Sequence, residues 1–325
     1  MNKFKVLYIY EKRIPLKLRH LVIKELKRRR FSFKLMRYDF SIKKQIQLFK
    51  WADAVFFGPG RKLNIKVINS AKNVKIFQLW SSGYDKFDVK SSTKNNIPVC
   101  TNGSQNNIAV AEHAVLLMMA LNKKLIHFNK ITVEGKWKNN SHGVDLYEMY
   151  GKNLGIIGLG KIGKRVAEIC KSFGMNIYYY DIKKADTTIE KKLGIKYLDK
   201  NKIFRKSDIL TLHLHLNSKT KNFINKNNIK KLKKNTSIIN VSRAELIEKN
   251  ALLKALRKKL IRGAGLDVHY EEPSKYNDPI NSLENVVVTP HTAGSTYDTY
   301  NRVIDNCLSN IQNALNKKKI MWQIN

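Results

Sequence analysis

The chain has 325 residues, 43% of them hydrophobic, which is long enough for two domains with their own cores and too apolar for a disordered chain. Lys and Arg number 62 against 25 Asp and Glu, a net charge of +37. The lysines are scattered along the whole length, whereas a nucleic-acid-binding face shows as a clustered stripe, so no nucleic-acid partner is expected.

The first hundred residues alternate between strand and helix patterns. Residues 5–10 are apolar and β-branched or aromatic. Residues 17–30 carry Leu18, Leu21, Val22 and Leu26 at helical spacing, and the densest basic run, Lys27 to Arg30, closes that segment. Further strands are expected at 54–57, 74–79 and 97–100, with a helix at 67–71, giving a small α/β unit with parallel connections. Residues 107–125 form one long helix, apolar nearly all round, which must be buried inside a domain or against a second subunit. A polar surface crossing follows at 139–143. A second α/β run opens with a strand at 154–157, a helix to about Phe173 and a strand at 176–180. It continues with strands at 209–214, 237–240, 263–266 and 286–288, and a helix at 246–260. A last helix, 296–314, is expected to return to the first domain. The apolar run 6–10 is too short for a signal-peptide core, and no segment reaches membrane-spanning length. Cys100, Cys170 and Cys307 are far apart and lack metal-ligand spacing, so they read as reduced thiols of a cytoplasmic protein.

The second run carries the chemistry. Between its first strand and helix lies Gly158-Leu-Gly160-Lys161-Ile162-Gly163. Gly158 permits the tight turn, Gly160 lets a pyrophosphate approach the backbone, and Gly163 lets the helix pack closely on the sheet. The helix N-terminus then offers unpaired N–H groups to phosphates. Asp181, 18 residues past Gly163 at the end of the next strand, accepts hydrogen bonds from a ribose diol and repels a 2′-phosphate, favouring NAD over NADP. Lys183 and Lys184 follow and soften that preference.

Downstream stand Arg243, Glu272 and His291. An arginine at the end of a buried strand presents a planar fork that fits a carboxylate and polarises the neighbouring keto oxygen. A histidine donates a proton to that oxygen during reduction, and a nearby Glu favours the imidazolium and fixes the tautomer. These are the parts that moving a hydride and a proton on a 2-keto or 2-hydroxy acid requires.

The segments SSGYDKFDV (81–89), NNIAVAEHA (106–114), GIIGLGKIG (155–163), INVSRAELIEKNAL (239–252), GLDVHYEEP (265–273) and TPHTAGST (289–296) make the chain resemble, over nearly its whole length, the D-isomer-specific 2-hydroxyacid dehydrogenases. That family includes phosphoglycerate dehydrogenases and glyoxylate/hydroxypyruvate reductases. The resemblance implies a doubly wound Rossmann dinucleotide-binding domain, residues 104–292, bearing the dimerisation helix, and a smaller flavodoxin-like α/β substrate domain built from 1–103 and 293–325. It implies Arg243, Glu272 and His291 as catalytic residues and Ser82 and Gly83, with Arg243, as the substrate-carboxylate site. The NAD contacts it implies are Gly158, Gly160, Lys161, Ile162, Gly163, Asp181, Val241, Ser242, Asp267, Ala293 and Gly294. The partner is then a small 2-hydroxy or 2-keto acid of glyoxylate, hydroxypyruvate or 3-phosphoglycerate type.

Three departures stand out. Ala244 replaces the family's usual glycine after the catalytic arginine. His215 replaces a proline on the adenine side. Gly58 and Gly60 fall where phosphoglycerate dehydrogenases tend to carry arginines, with Arg61 out of register, which disfavours a phosphorylated substrate.

Other readings weigh less. His213 and His215 share a strand face, but no third ligand has suitable spacing, so no metal is expected. Formate-oxidising enzymes that resemble this family carry Gln where Glu272 stands. A non-catalytic, NAD-sensing regulator on the same fold is the alternative of a different class. The apolar helix around 109–121 leads to the expectation of a C2 homodimer with no membrane partner.

Overall fold

A computed structural model describes residues 4–58, 62–137 and 140–325. The chain divides into two compact units, one running to Asn106 and resuming at Ser295–Asn325, the other Asn107–Gly294.

The first unit opens with β1 (Lys5–Tyr10), α1 (Leu16–Arg28), β2 (Ser32–Arg37), α2 (Ile42–Trp51) and β3 (Ala54–Phe57). It continues with α3 (Ile65–Asn69), β4 (Phe77–Leu79), α4 (Val89–Lys94) and β5 (Val99–Cys100). Its five strands are all parallel, in the order β2-β1-β3-β4-β5, the flavodoxin-like winding. β1 and β3 are apolar on both faces because helices cover both. Strands 74–79 and 97–100 are shorter than their apolar runs suggest. Val74 and Ile76 are buried in the approach to β4 without belonging to it, and Pro98, lacking an N–H, precedes β5.

The second unit begins with α5 (Asn107–Asn122) and α6 (Leu125–Val133). This corrects the single helix expected over 107–125. Lys124 sits in the left-handed region at φ 49° and breaks the helix. α5 is buried within its own unit, against α7 (Lys161–Ser172), β10 (Ser237–Asn240) and β11 (Gly263–Leu266). α6 buries no residue, and Leu125 and Ile126 stand 51% and 60% exposed. Exposed apolar residues thus stand on both helices, Ile108 and Leu116 on α5 and Leu125 and Ile126 on α6.

Between these helices and strands lie β6 (Asn153–Ile157), β7 (Asn176–Tyr180), α8 (Thr187–Leu193), β8 (Ile195–Tyr197), α9 (Lys200–Lys206) and β9 (Ile209–Leu212). After them come α10 (Lys249–Arg257) and β12 (Val286–Val288). The seven strands are parallel, in the order β12-β11-β10-β9-β6-β7-β8, the doubly wound dinucleotide-binding arrangement with one further edge strand. The strand expected over 209–214 stops at Leu212, so His213 and His215 lie beyond its end instead of sharing a strand face. The helix expected over 246–260 is α10 preceded by a 3-10 turn, Ala244–Leu246. Of the polar crossing expected at 139–143, Asn139 lies outside the described residues and a 3-10 turn spans Asn140–Asp145.

The last helix, α11 (Tyr297–Leu315), belongs to the first unit and packs on α1, β3 and β4. Arg29 at the end of α1 reaches Asp305, Ser309 and Gln312 on it, so the densest basic run is partly engaged inside its own unit.

Candidate functional site

Because every strand of the second unit is parallel, the residues that follow each strand gather along one edge of the sheet. In spatial order that edge carries Thr289 to Gly294 after β12, Asp267 to Glu272 after β11, Val241 to Arg243 after β10, and His213 after β9. The glycine turn follows β6 and Asp181 follows β7.

The glycine turn fits a dinucleotide on its own geometry. Gly158 takes φ 94°, and a side chain there would press on the backbone of His213. A Cβ on Gly163 would run into the Gly158 carbonyl oxygen, whereas a Cβ on Gly160 would meet nothing within 4 Å. The turn is thus packed closed beneath the helix and left open on the side where a phosphate approaches. Gly160 caps α7 without a side chain, and Lys161 and Ile162 form its first turn. Asp181 accepts the Leu159 N–H at 2.7 Å and the Ile182 N–H at 2.7 Å, which fixes its carboxylate against the turn. A cavity of about 220 Å³ beside it is lined by Leu159, Lys164, Asp181, Lys183, Lys184, Ala185, Asp186 and Ile189.

The arginine is held by its strand end. The buried Asn240 side chain accepts the Ser242 N–H at 3.1 Å and donates to the Arg243 carbonyl at 2.8 Å, while the Ser242 hydroxyl donates to the Leu212 carbonyl. This fold-back leaves Val241 buried and Ser242 and Arg243 half-buried. Arg243 itself is extended (φ −143°), and Ala244 enters the 3-10 turn without a left-handed backbone, so the missing glycine leaves the turn intact.

His291 and Glu272 meet directly: Nδ1 lies 2.8 Å from Oε1, with the side chains 40% and 26% exposed. His291 adopts φ 55°, an uncommon backbone for a histidine. The loop that holds it is tied to Asp267, which is fully buried. The Asp267 carboxylate accepts the Thr289 hydroxyl at 2.6 Å and the N–H groups of Thr292 and Ala293 at 2.8 and 2.9 Å. His269 adds a contact from its Nε2 to the Thr289 carbonyl at 2.9 Å.

Ser82 and Gly83 lie in the first unit, in the loop after β4; the Ser82 hydroxyl donates to Asn102 at 2.6 Å and lies 3.0 Å from Asn106 Oδ1. Gly58 closes β3 with its N–H on the Ile9 carbonyl, and Gly60 and Arg61 lie outside the described residues. His213 has its Nε2 3.0 Å from the Thr211 hydroxyl, and burial pulls its pKa down to about 3. Among the described residues, no group of three or more His, Cys, Asp and Glu stands close enough to hold a metal ion. The supporting residues Asn240, Thr289 and His113 were not singled out from the sequence, although each lies in a segment that carries the resemblance.

Residues 115–293 match the family described as D-isomer specific 2-hydroxyacid dehydrogenase, NAD binding domain. The chain is 36% identical over 252 residues to a glyoxylate reductase of Korarchaeum cryptofilum, covering 77% of this chain and 75% of that one. Among solved structures it is similar to an acyclic imino acid reductase, Bsp5, in complex with NADPH and D-Arg (TM-score 0.86, 27% identity, 99% of this chain and 100% of that chain). It is also similar to a D-lactate dehydrogenase with NAD+ from Lactobacillus jensenii (TM-score 0.83, 26% identity, 99% of this chain and 100% of that chain). With the sheet order, the glycine turn and the Glu–His pair described above, these similarities show that the chain belongs to the D-isomer specific 2-hydroxyacid dehydrogenases and is an NAD-dependent oxidoreductase.

Proposed function

We propose that this enzyme reduces a small, unphosphorylated 2-keto acid such as glyoxylate or hydroxypyruvate with NADH, using Arg243, Glu272 and His291. The observation that carries the reading is the 2.8 Å contact between His291 Nδ1 and Glu272 Oε1, on the strand edge that also bears Arg243 and the glycine turn. The Asn107–Gly294 unit is the cofactor domain and the other the substrate domain. The bound nicotinamide supplies the hydride. A carboxylate on Nδ1 sets the tautomer, which makes Nε2 the nitrogen that gives the proton to the carbonyl oxygen. Arg243 grips the substrate carboxylate and polarises the adjacent carbonyl; in the first unit, Ser82 and Gly83 are the residues whose N–H groups the family resemblance assigns to a substrate carboxylate. Gly158, Gly160, Lys161, Ile162 and Gly163 hold the pyrophosphate and Asp181 the adenosine ribose. Val241, Ser242, Asp267, Ala293 and Gly294 line the nicotinamide end. The curated relative named a glyoxylate reductase and the glycine at position 58 both support a substrate without phosphate.

The test is a panel of glyoxylate, hydroxypyruvate, pyruvate and 3-phosphohydroxypyruvate with NADH and with NADPH. Turnover of glyoxylate or hydroxypyruvate with NADH is expected, with the phosphorylated acid slower. Bound NADH with no turnover of any 2-keto acid overturns the reading.

The assembly we propose is a C2 homodimer seated on the exposed apolar residues of α6, and the location the cytoplasm. Three free, buried cysteines support the location, and among the described residues no helix is long and apolar enough to cross a membrane. Light scattering at micromolar protein should show a dimer, and Ile126→Glu should shift it toward monomer. A monomer without the substitution refutes the assembly.

A further inference from the structure

We infer that His113 is a positioning residue for the reaction, acting through Thr289 and Asp267 on the loop that carries His291. The inference rests on the proposed role of His291 and goes beyond it, because His113 stands on α5, 176 residues before the Thr289 that it contacts.

The argument starts from a misfit. Around His113, α5 is apolar: Ala109, Val110, Ala111, Ala114 and Val115 are all buried. The His113 side chain is only 15% exposed, and a buried polar ring needs a hydrogen-bond partner. Its partner is the Thr289 hydroxyl, 2.8 Å from Nε2, with the Asp267 carboxylate oxygen 3.5 Å away.

Proton bookkeeping gives the direction of this chain. A hydroxyl has one hydrogen to donate, and that of Thr289 goes to Asp267 at 2.6 Å. Thr289 must therefore accept from His113, whose hydrogen sits on Nε2. The relay reads His113 N–H to Thr289 O–H to Asp267, and Asp267 then accepts the N–H groups of Thr292 and Ala293. Those two residues and Thr289 bracket His291, whose own N–H returns to the Thr289 carbonyl at 3.0 Å. A left-handed histidine persists only where its surroundings over-determine the loop, and His113 supplies the outermost constraint. Removing it leaves the Thr289 hydroxyl free to rotate and the Asp267 oxygen less firmly aimed, so the imidazole of His291 is less often in place.

The experiment compares His113→Gln with His113→Asn. Glutamine places an amide N–H near the position of Nε2, and asparagine is too short to reach Thr289. Steady-state rates with NADH and glyoxylate should show kcat within about threefold of the parent for Gln and down about tenfold for Asn, the scale of one buried hydrogen bond. KM for glyoxylate should be little changed in both, because the substrate carboxylate is held elsewhere. Adding His113→Asn to Thr289→Val should not slow that variant further, since the ring acts through the Thr289 hydroxyl that valine lacks. Equal rates for Gln and Asn, or additive losses in the double variant, overturn the inference. His291→Ala in the same assay separates the two ideas: if it keeps the parent rate, the assignment of His291 has failed, whatever His113 does. Should an Asn variant unfold, judged by thermal melting, the comparison of His113→Gln with His113→Met decides in the same way.

Discussion

Replacing Glu272 by Gln and by Ala separates two things its carboxylate does for His291. Oε1 accepts from Nδ1 at 2.8 Å and, more loosely, from the His269 N–H at 3.4 Å. Glutamine keeps an acceptor oxygen on a side chain of the same length, so the ring stays oriented and only the negative charge is lost. The pair is partly open to water, 26% on the Glu side and 40% on the His side, so the value of a fully buried ion pair does not apply. A hydrogen bond to a charged group is worth about 1.5–3 kcal/mol against about 0.5–1.5 for a neutral one. The difference of about 1 kcal/mol corresponds to roughly a fivefold fall in kcat. Alanine removes the acceptor as well, and the rate should drop by about 10²-fold, toward the level expected when a general acid is mispositioned. The assay is NADH consumption at saturating glyoxylate, with His291→Ala as the floor. Equal losses for Gln and Ala refute the separation of charge from orientation. A Glu272→Ala enzyme at the parent rate refutes the role of the pair.

Asp181→Ala should lower the preference for NADH over NADPH by about tenfold, or 1.4 kcal/mol, because the carboxylate that repels a 2′-phosphate goes while Lys164, Lys183 and Lys184 remain around the same cavity. The ratio of kcat/KM for the two cofactors measures it, and an unchanged ratio counts against Asp181 as the selector. His213 has a folded-state pKa of about 3, far below the usual histidine value, because burial penalises its charged form. The stability this contributes is present above pH 6.5 and is lost as pH falls from there toward 3. Between pH 6.5 and 5 the loss amounts to at most about 2 kcal/mol. His213→Gln should flatten that part of the thermal-melting profile, and parallel profiles for the two proteins refute the assignment.

The sequence made the cofactor half of the site legible because its constraints are local. A strand, three glycines at fixed spacing, a helix and an acid at the next strand end occupy 28 consecutive positions, from Leu154 to Asp181. Arg243, Glu272 and His291, proposed as catalytic, stand out in the sequence by their motifs, and they follow parallel strands at one edge of the sheet. What escaped depends on long-range partners. The polar triplet Asn122-Lys123-Lys124 interrupts the apolar residues, and the left-handed backbone at Lys124 makes that interruption a helix break, which composition alone does not distinguish from a polar face. β2 is hard to read because Ser32–Arg37 is an edge strand with as many polar as apolar residues and one fully buried residue, Met36. The helix α2 was missed because a buried Gln45, bonded to the carbonyls of Tyr38 and Phe40, occupies a place where an apolar residue would have marked the period. His113 looked like one more helix residue, since its partner is 176 positions away.

The strand order of the second unit also acts as a ruler. His291 follows β12 and Asp181 follows β7, and the order β12-β11-β10-β9-β6-β7 puts five inter-strand steps between them. At about 4.8 Å per step, the residues proposed to hand over the proton and to select the ribose stand about 24 Å apart along the sheet edge. That reach is set by backbone hydrogen bonding between strands, and the lengths of the connecting loops do not enter it. Arg243 after β10 and Asp267 and Glu272 after β11 fall between those two ends, so their spacing along the edge is set by the same strand order, and the separation that a bound dinucleotide must bridge stays constant.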